Sequence, residues 1–144
     1  MKLKLDHIGF VTTERERVES ILRRIGLESI TKHVPDEIQK VSASFADIGE
    51  NDRVYLEILT PTSSDSPISN FLQKKGPGLH HLCFEVEDIE EAKKIFVQAG
   101  FRVVVEPREC EAYDINLGRN PKKTTKIAFL FIPNFLLVEL IEKE

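Results

Sequence analysis

Apolar and polar positions along the chain follow two periods in turn, and the succession repeats. The stretch LDHIGFV at 5–11 alternates: Ile8 and Phe10 lie on one side of an extended strand, His7 and Gly9 on the other. The period then changes. Val18, Ile21, Leu22 and Ile25 are spaced i, i+3, i+4, i+7, which predicts one face of a helix. Thr13 with Glu16 reads as a capping box at its start, and Gly26 as a left-handed cap past its end. Strand-like runs follow at 39–46 and 54–59, with 28–32 as a poorer candidate.

The same succession returns 74 residues later in HHLCFEV at 80–86, where His7 aligns with His81, Ile8 with Leu82 and Phe10 with Phe84. The helical face maps onto Ala92, Ile95, Phe96 and Ala99, Gly26 maps onto Gly100, and Asp88 with Glu91 forms a second capping box. Further strands are predicted at 102–105, 126–132 and 135–141. Leu56-Glu57-Ile58 resembles Val138-Glu139-Leu140 at an offset of 82, so the second half carries about eight extra residues, placed in the loop 107–125. Between the halves runs TPTSSDSPISNFLQKKGPG, a linker whose Ser66 N-cap and Pro67 start a short helix through Lys74. The class is therefore α+β, with two tandem βαβββ modules, one at about 1–60 and one at about 79–144, joined by a linker at about 61–78. Modules this small are expected to share one domain, 1–144.

Alternation also sorts the chemistry. If the apolar faces of the first and fifth strands bury against the following helices, the histidine faces are the open ones, and small neighbours (Gly9, Cys83) leave room for a ligand. Glu57 and Glu139 each interrupt a strongly apolar strand, where a carboxylate is costly unless paired or bound to metal. A lone histidine there would be structural and a lone glutamate an exposed edge residue. One His and one Glu at related positions in each half instead give a His7, Glu57, His81, Glu139 set. Neutral imidazoles and carboxylates suit Zn, Mn, Co, Ni or Fe(II).

Composition narrows the setting. Twenty Lys and Arg against 24 Asp and Glu give a net charge of -4, with a pI near 5.6, so nothing favours nucleic acid. No apolar run approaches the ~20 residues of a membrane span, and MKLKLDHIGF lacks a signal-peptide core. Two cysteines, Cys83 and Cys110, cannot build a disulfide framework or a cysteine-based zinc site. A reducing, cytoplasmic setting is the expectation.

LDHIGFV, VYLEILTPTSSDSPISNFLQKKGPGLHHLCFEVEDIEEA and IAFLFIPNFLLVELIE together resemble the vicinal oxygen chelate (glyoxalase/bleomycin resistance/dioxygenase) superfamily, and within it methylmalonyl-CoA epimerase and glyoxalase-like relatives. The block from DSPI to GPGLHH is the most specific part. The resemblance implies paired βαβββ modules forming a curved mixed sheet around a metal-binding cleft, with His7, Glu57, His81 and Glu139 holding one divalent ion (Zn, Co, Ni or Mn). The repeat alignment selects His81 over His80 as ligand, and the resemblance implies a homodimer. The chain departs from the epimerase pattern in three places. FIPNFLLVEL lacks an HPK-type segment, PDEIQKV replaces a PEQGVKV-like stretch, and Val41 stands where some epimerases carry a proposed glutamate base.

The implied chemistry is abstraction of a proton α to a carbonyl, with the metal as Lewis acid and Glu139 and Glu57 as bases on opposite sides. The expected substrate is methylmalonyl-CoA or a similar acyl-CoA, whose phosphates would need cations such as Arg108, Arg119, Lys122 and Lys123 in the loop 107–125, which reads equally as a lid or as a solvated basic loop. Two alternatives stand beside it. One is a lactoylglutathione lyase acting on a glutathione hemithioacetal; the other is a metal-free small-molecule binding protein.

Overall fold

The computed structural model describes residues 1–49, 53–134 and 136–144. In chain order its elements are β1 (Lys4–Val11), α1 (Arg15–Arg24), β2 (Val34–Asp36), β3 (Val41–Asp47), β4 (Tyr55–Pro61), α2 (Pro67–Lys75), β5 (Gly78–Glu85), α3 (Ile89–Gln98), β6 (Arg102–Glu109), α4 (Glu111–Asn116), β7 (Lys126–Ile132) and β8 (Leu136–Glu142). They divide into two compact units, Met1–His7 with His81–Glu144, and Ile8–His80. Strands β1 and β5 contribute residues to both. Among the described residues, no helix is long and apolar enough to cross a membrane.

In the Ile8–His80 unit the strands run in the order β2-β3-β4-β1. The β2–β3 hairpin closes where Asp36 accepts the N–H groups of Ile38 and Gln39 at 3.0 and 3.2 Å, and Lys40 takes the left-handed conformation with φ 57°. The expected strand at 28–32 is reduced to one bridge, Ile30 to Ala46. Its place in the sheet is taken by Val34–Asp36, built around Pro35. A proline reads as a strand breaker in sequence, yet β2 is an edge strand, where a missing N–H costs no ladder bond. The linker helix forms as α2, with Ser66 as N-cap and Pro67 in its first turn.

Helix α1 departs from expectation twice. Its N-cap is Glu14, with no side-chain cap bond; the Thr12 hydroxyl accepts the Glu14 N–H at 2.9 Å, so the Thr13–Glu16 box does not form. Its apolar stripe also buries no residue fully, and Ile25 is 70% exposed.

In the other unit the order is β1-β5-β8-β7-β6. Strand β5 pairs β8 in parallel, and β7 is antiparallel to both β8 and β6. Here half of the expected stripe is buried: Ala92 and Phe96 of α3, with Ile89 before them, pack on Ala128, Leu130, Val138 and Leu140 of β7 and β8, with Phe84, Phe101 and Val103 at the margin, whereas Ile95 and Ala99 are exposed. Each large side chain so buried contributes about 2 kcal/mol. Asp88 caps α3, accepting the N–H groups of Glu90 and Glu91 at 3.0 and 3.1 Å. Strand β6 runs past its expected end at Val105 to Glu109, because two register shifts against β7 absorb its irregularity. The stretch expected as the loop 107–125 therefore holds the end of a strand and all of α4. The last strand begins at Leu136; Phe135, part of the expected strand 135–141, lies outside the described residues.

Candidate metal centre

Three of the four expected ligands belong to one unit and converge. His7 sits in β1, His81 in β5 and Glu139 in β8. The parallel β5–β8 register sets Cys83 opposite Glu139 and so places His81 within reach of that carboxylate. Glu139 Oε1 lies 3.0 Å from His7 Nε2 and 3.1 Å from His81 Nε2, and the two Nε2 atoms are 3.3 Å apart. Glu57, the fourth expected residue, is half-buried in β4 of the other unit, opposite Phe45.

The histidine faces are not the open ones. His7 is 1% exposed, His81 4% and Glu139 7%, whereas Ile8, Phe10, Leu82 and Phe84 on the opposite face are only half-buried. Aromatic rings cover the cluster. Tyr113 of α4 stacks on His7 with centroids 6.3 Å apart, and Phe129 of β7 lies edge-on to His81 at 5.5 Å. Cys83 fills the remaining space, fully buried. Burial, and then the Glu139 charge, push its thiol well above the usual range, so it serves as an uncharged filler. His80, which aligns with Asp6 in the repeat, lies edge-on to Phe71 at 5.0 Å.

The donor set fits a cation. Asp6 Oδ2 lies 2.7 Å from His7 Nδ1 and accepts its proton, which leaves the His7 Nε2 lone pair directed at a carboxylate oxygen and a second imidazole nitrogen. Acceptors this close in a buried site require a proton or a metal ion between them. Burial alone would raise the Glu139 carboxyl, but where a proton fills the cluster the positively charged His7 and His81 imidazoles outweigh burial and hold Glu139 below the ordinary carboxylate range. A buried carboxylate with two imidazoles is a donor set suited to zinc, cobalt, nickel or manganese.

Asp6, Tyr113 and Lys143 were not singled out by the sequence. Tyr113 donates to Asp6 at 2.9 Å, and Lys143 Nζ donates to Asp6 Oδ1 at 2.5 Å and to the Tyr113 hydroxyl at 3.0 Å. The available signal was the aspartate beside His7 in an apolar strand; the other two residues lie 107 and 137 positions from Asp6 and carry no local signature.

Of the cations expected to meet phosphates, Arg119 has its charged group engaged within the protein. Arg119 pairs with Asp114 at 2.6 Å and donates to Thr125 and to the Glu144 carbonyl at 2.9 and 2.7 Å. The backbone N–H groups of Lys122 and Lys123 are bound by the Glu144 carboxylate. This segment is thus bonded to Glu144, two residues past the end of β8. Arg108 alone of the four lies in a strand, β6, and is exposed.

Comparison with known proteins is consistent with this geometry. Residues 6–118 match the Glyoxalase/Bleomycin resistance protein/Dioxygenase superfamily. A stretch of 90 residues is 36% identical to the mitochondrial methylmalonyl-CoA epimerase of Mus musculus, covering 62% of this chain and 49% of that protein, so the match spans about half the relative's length. The uncharacterized protein YqjC of Bacillus subtilis is 33% identical over 143 residues, 96% of this chain and 91% of that one. Among solved structures, a hypothetical protein from Bacillus halodurans aligns with TM-score 0.79 at 28% identity, covering 100% and 96% of the two chains. A variant of Streptomyces coelicolor methylmalonyl-CoA epimerase in complex with 2-nitronate-propionyl-CoA aligns with TM-score 0.81 at 25% identity, covering 99% and 96%.

Proposed function

The chain belongs to the glyoxalase/bleomycin resistance/dioxygenase superfamily, and from that membership we propose that it is a metal-dependent epimerase acting on the carbon α to the thioester of methylmalonyl-CoA or a similar acyl-CoA. The observation that carries the proposal is the convergence of His7, His81 and Glu139, within 3.3 Å of one another and buried. Glu57 is assigned as the fourth ligand on its place in the sequence repeat. The epimerases named among the relatives supply the substrate class.

When bound, a divalent ion supplies Lewis-acid charge that lowers the pKa of the adjacent C–H. The protein does the rest. His7 and His81 offer imidazole nitrogens, and His7 is held in orientation by Asp6. Glu139 is ionised at neutral pH, because the two imidazoles favour its charged form, so it is available to accept a proton. Glu57 is assigned the second proton transfer, on the opposite face of the α-carbon. Tyr113, Phe129 and Cys83 keep the surroundings of the cluster dry, which strengthens every charge interaction within it.

Elemental analysis of the purified protein tests the ligand assignment. About one equivalent of divalent metal is expected in the wild type and a marked loss in His81→Ala. Equal metal content in the two proteins would remove His81 from the site.

A further inference from the structure

We propose that the residues inserted into the second half of the repeat form a strut that fixes His7 as a metal ligand. The inference rests on the metal assignment above and concerns residues that lie outside the ligand set. The extra residues separating the offsets of 74 and 82 fall where the structure builds α4 and the turns after it. That segment is anchored at several points. Asp114 accepts the Thr125 hydroxyl at 2.7 Å and the Thr125 N–H at 3.2 Å, Arg119 closes on both residues, and the Cys110 N–H bonds to the Thr125 carbonyl at 2.8 Å. So held, α4 presents Tyr113 to Asp6.

The bonds then run in one direction. Lys143 donates to the Tyr113 oxygen and to Asp6 Oδ1, Tyr113 donates to Asp6, and His7 Nδ1 donates to Asp6 Oδ2. Asp6 thereby accepts from three donors, one of which is the imidazole. Its carboxylate cannot turn away without leaving buried donors unsatisfied. His7 keeps its proton on Nδ1 and its Nε2 toward Glu139 and His81. Lys143 also lies 3.6 Å from Glu85 of β5, which fixes its own position. In the second half the position of Asp6 is taken by His80, which packs on Phe71. The insertion therefore acts on His7 through an aspartate that the repeat does not duplicate.

Tyr113→Phe and Lys143→Met test this, with Lys123→Ala as control, since only the backbone of Lys123 joins the anchoring bonds. Two readouts are taken on the full chain. Titration of the metal-free protein with Co(II) alone gives affinity; proton NMR follows the His7 Nδ1–H resonance, expected far downfield and slow to exchange. Both strut variants should bind Co(II) 10- to 100-fold more weakly than the wild type and lose or shift the Nδ1–H signal, while the control changes neither. Unchanged affinity and an unchanged signal in both strut variants would overturn the proposal, even if their melting temperatures fall. If the wild type binds no Co(II), the metal assignment fails by itself, and the Nδ1–H comparison still decides whether Tyr113 and Lys143 fix His7.

Discussion

Three acceptor-rich, buried side chains set the chemistry at the residue scale. Glu139 is held in its charged form because His7 and His81 face it, and the first proton transfer is assigned to it on its place in the cluster. In Glu139→Gln the shape is kept and the charge lost. Bound metal should fall, and exchange of the α-proton should drop ~10²-fold or more; full metal content with full turnover would refute the assignment. A second residue predicts pH dependence. Burial, and then the charge of Arg15, depress the His33 imidazole from 6.5 to about 4. The unfolded chain therefore takes up this proton near pH 6.5 and the folded chain only near 4. The stabilisation is complete above pH 6.5 and is lost as pH falls toward 4, a loss of about 1–2 kcal/mol after allowance for solvent screening. Denaturant midpoints at pH 7 and pH 4.5 should differ by more in the wild type than in His33→Gln. Identical differences would show that His33 is not the group involved.

At the scale of elements, the two helices that the repeat makes equivalent are held differently. Phe96 of α3 is buried in the core and packs on Phe101 at 5.0 Å, so Phe96→Ala should cost about 3–5 kcal/mol by chemical denaturation. Leu22→Ala, at the corresponding and only half-buried position of α1, should cost less than Phe96→Ala. Caps differ likewise. Asp88→Ala should cost about 1 kcal/mol, whereas Thr13→Ala should cost almost nothing, because the Thr13 side chain caps no helix. These contrasts mark what pattern can and cannot show. Spacing alone located α1 and α3, since a 3.6-residue period is a property of the segment. How deeply each face is buried depends on partners distant in sequence. The edge strands β2 and β6 were misplaced or shortened for a related reason: each contains a proline (Pro35, Pro107), which argues against a strand until its edge position is known.

For the whole molecule, the repeat brought the proposed ligands into view and left their surroundings hidden. The offset of 74 pairs His7 with His81 directly, and the apolar strand around Glu139 makes its charge conspicuous. The burial of that face was misjudged because its cover, Tyr113 and Phe129, comes from the part of the second half that departs from the repeat or from a strand whose facing partner was unknown. A site assembled from the first strand and the last also ties metal binding to the fold. Metal at 100 times its dissociation constant should raise unfolding free energy by about 2.7 kcal/mol, with the gain lost in His81→Ala.

The measurement that bears most directly on the central claim is deuterium incorporation at the α-carbon of methylmalonyl-CoA in heavy water, followed before chelation, after it, and after metal is restored. Incorporation should be rapid with the loaded protein, stop on chelation, and return when a divalent ion is added back. No incorporation by the loaded protein, or incorporation indifferent to chelation, would contradict a metal-dependent epimerase.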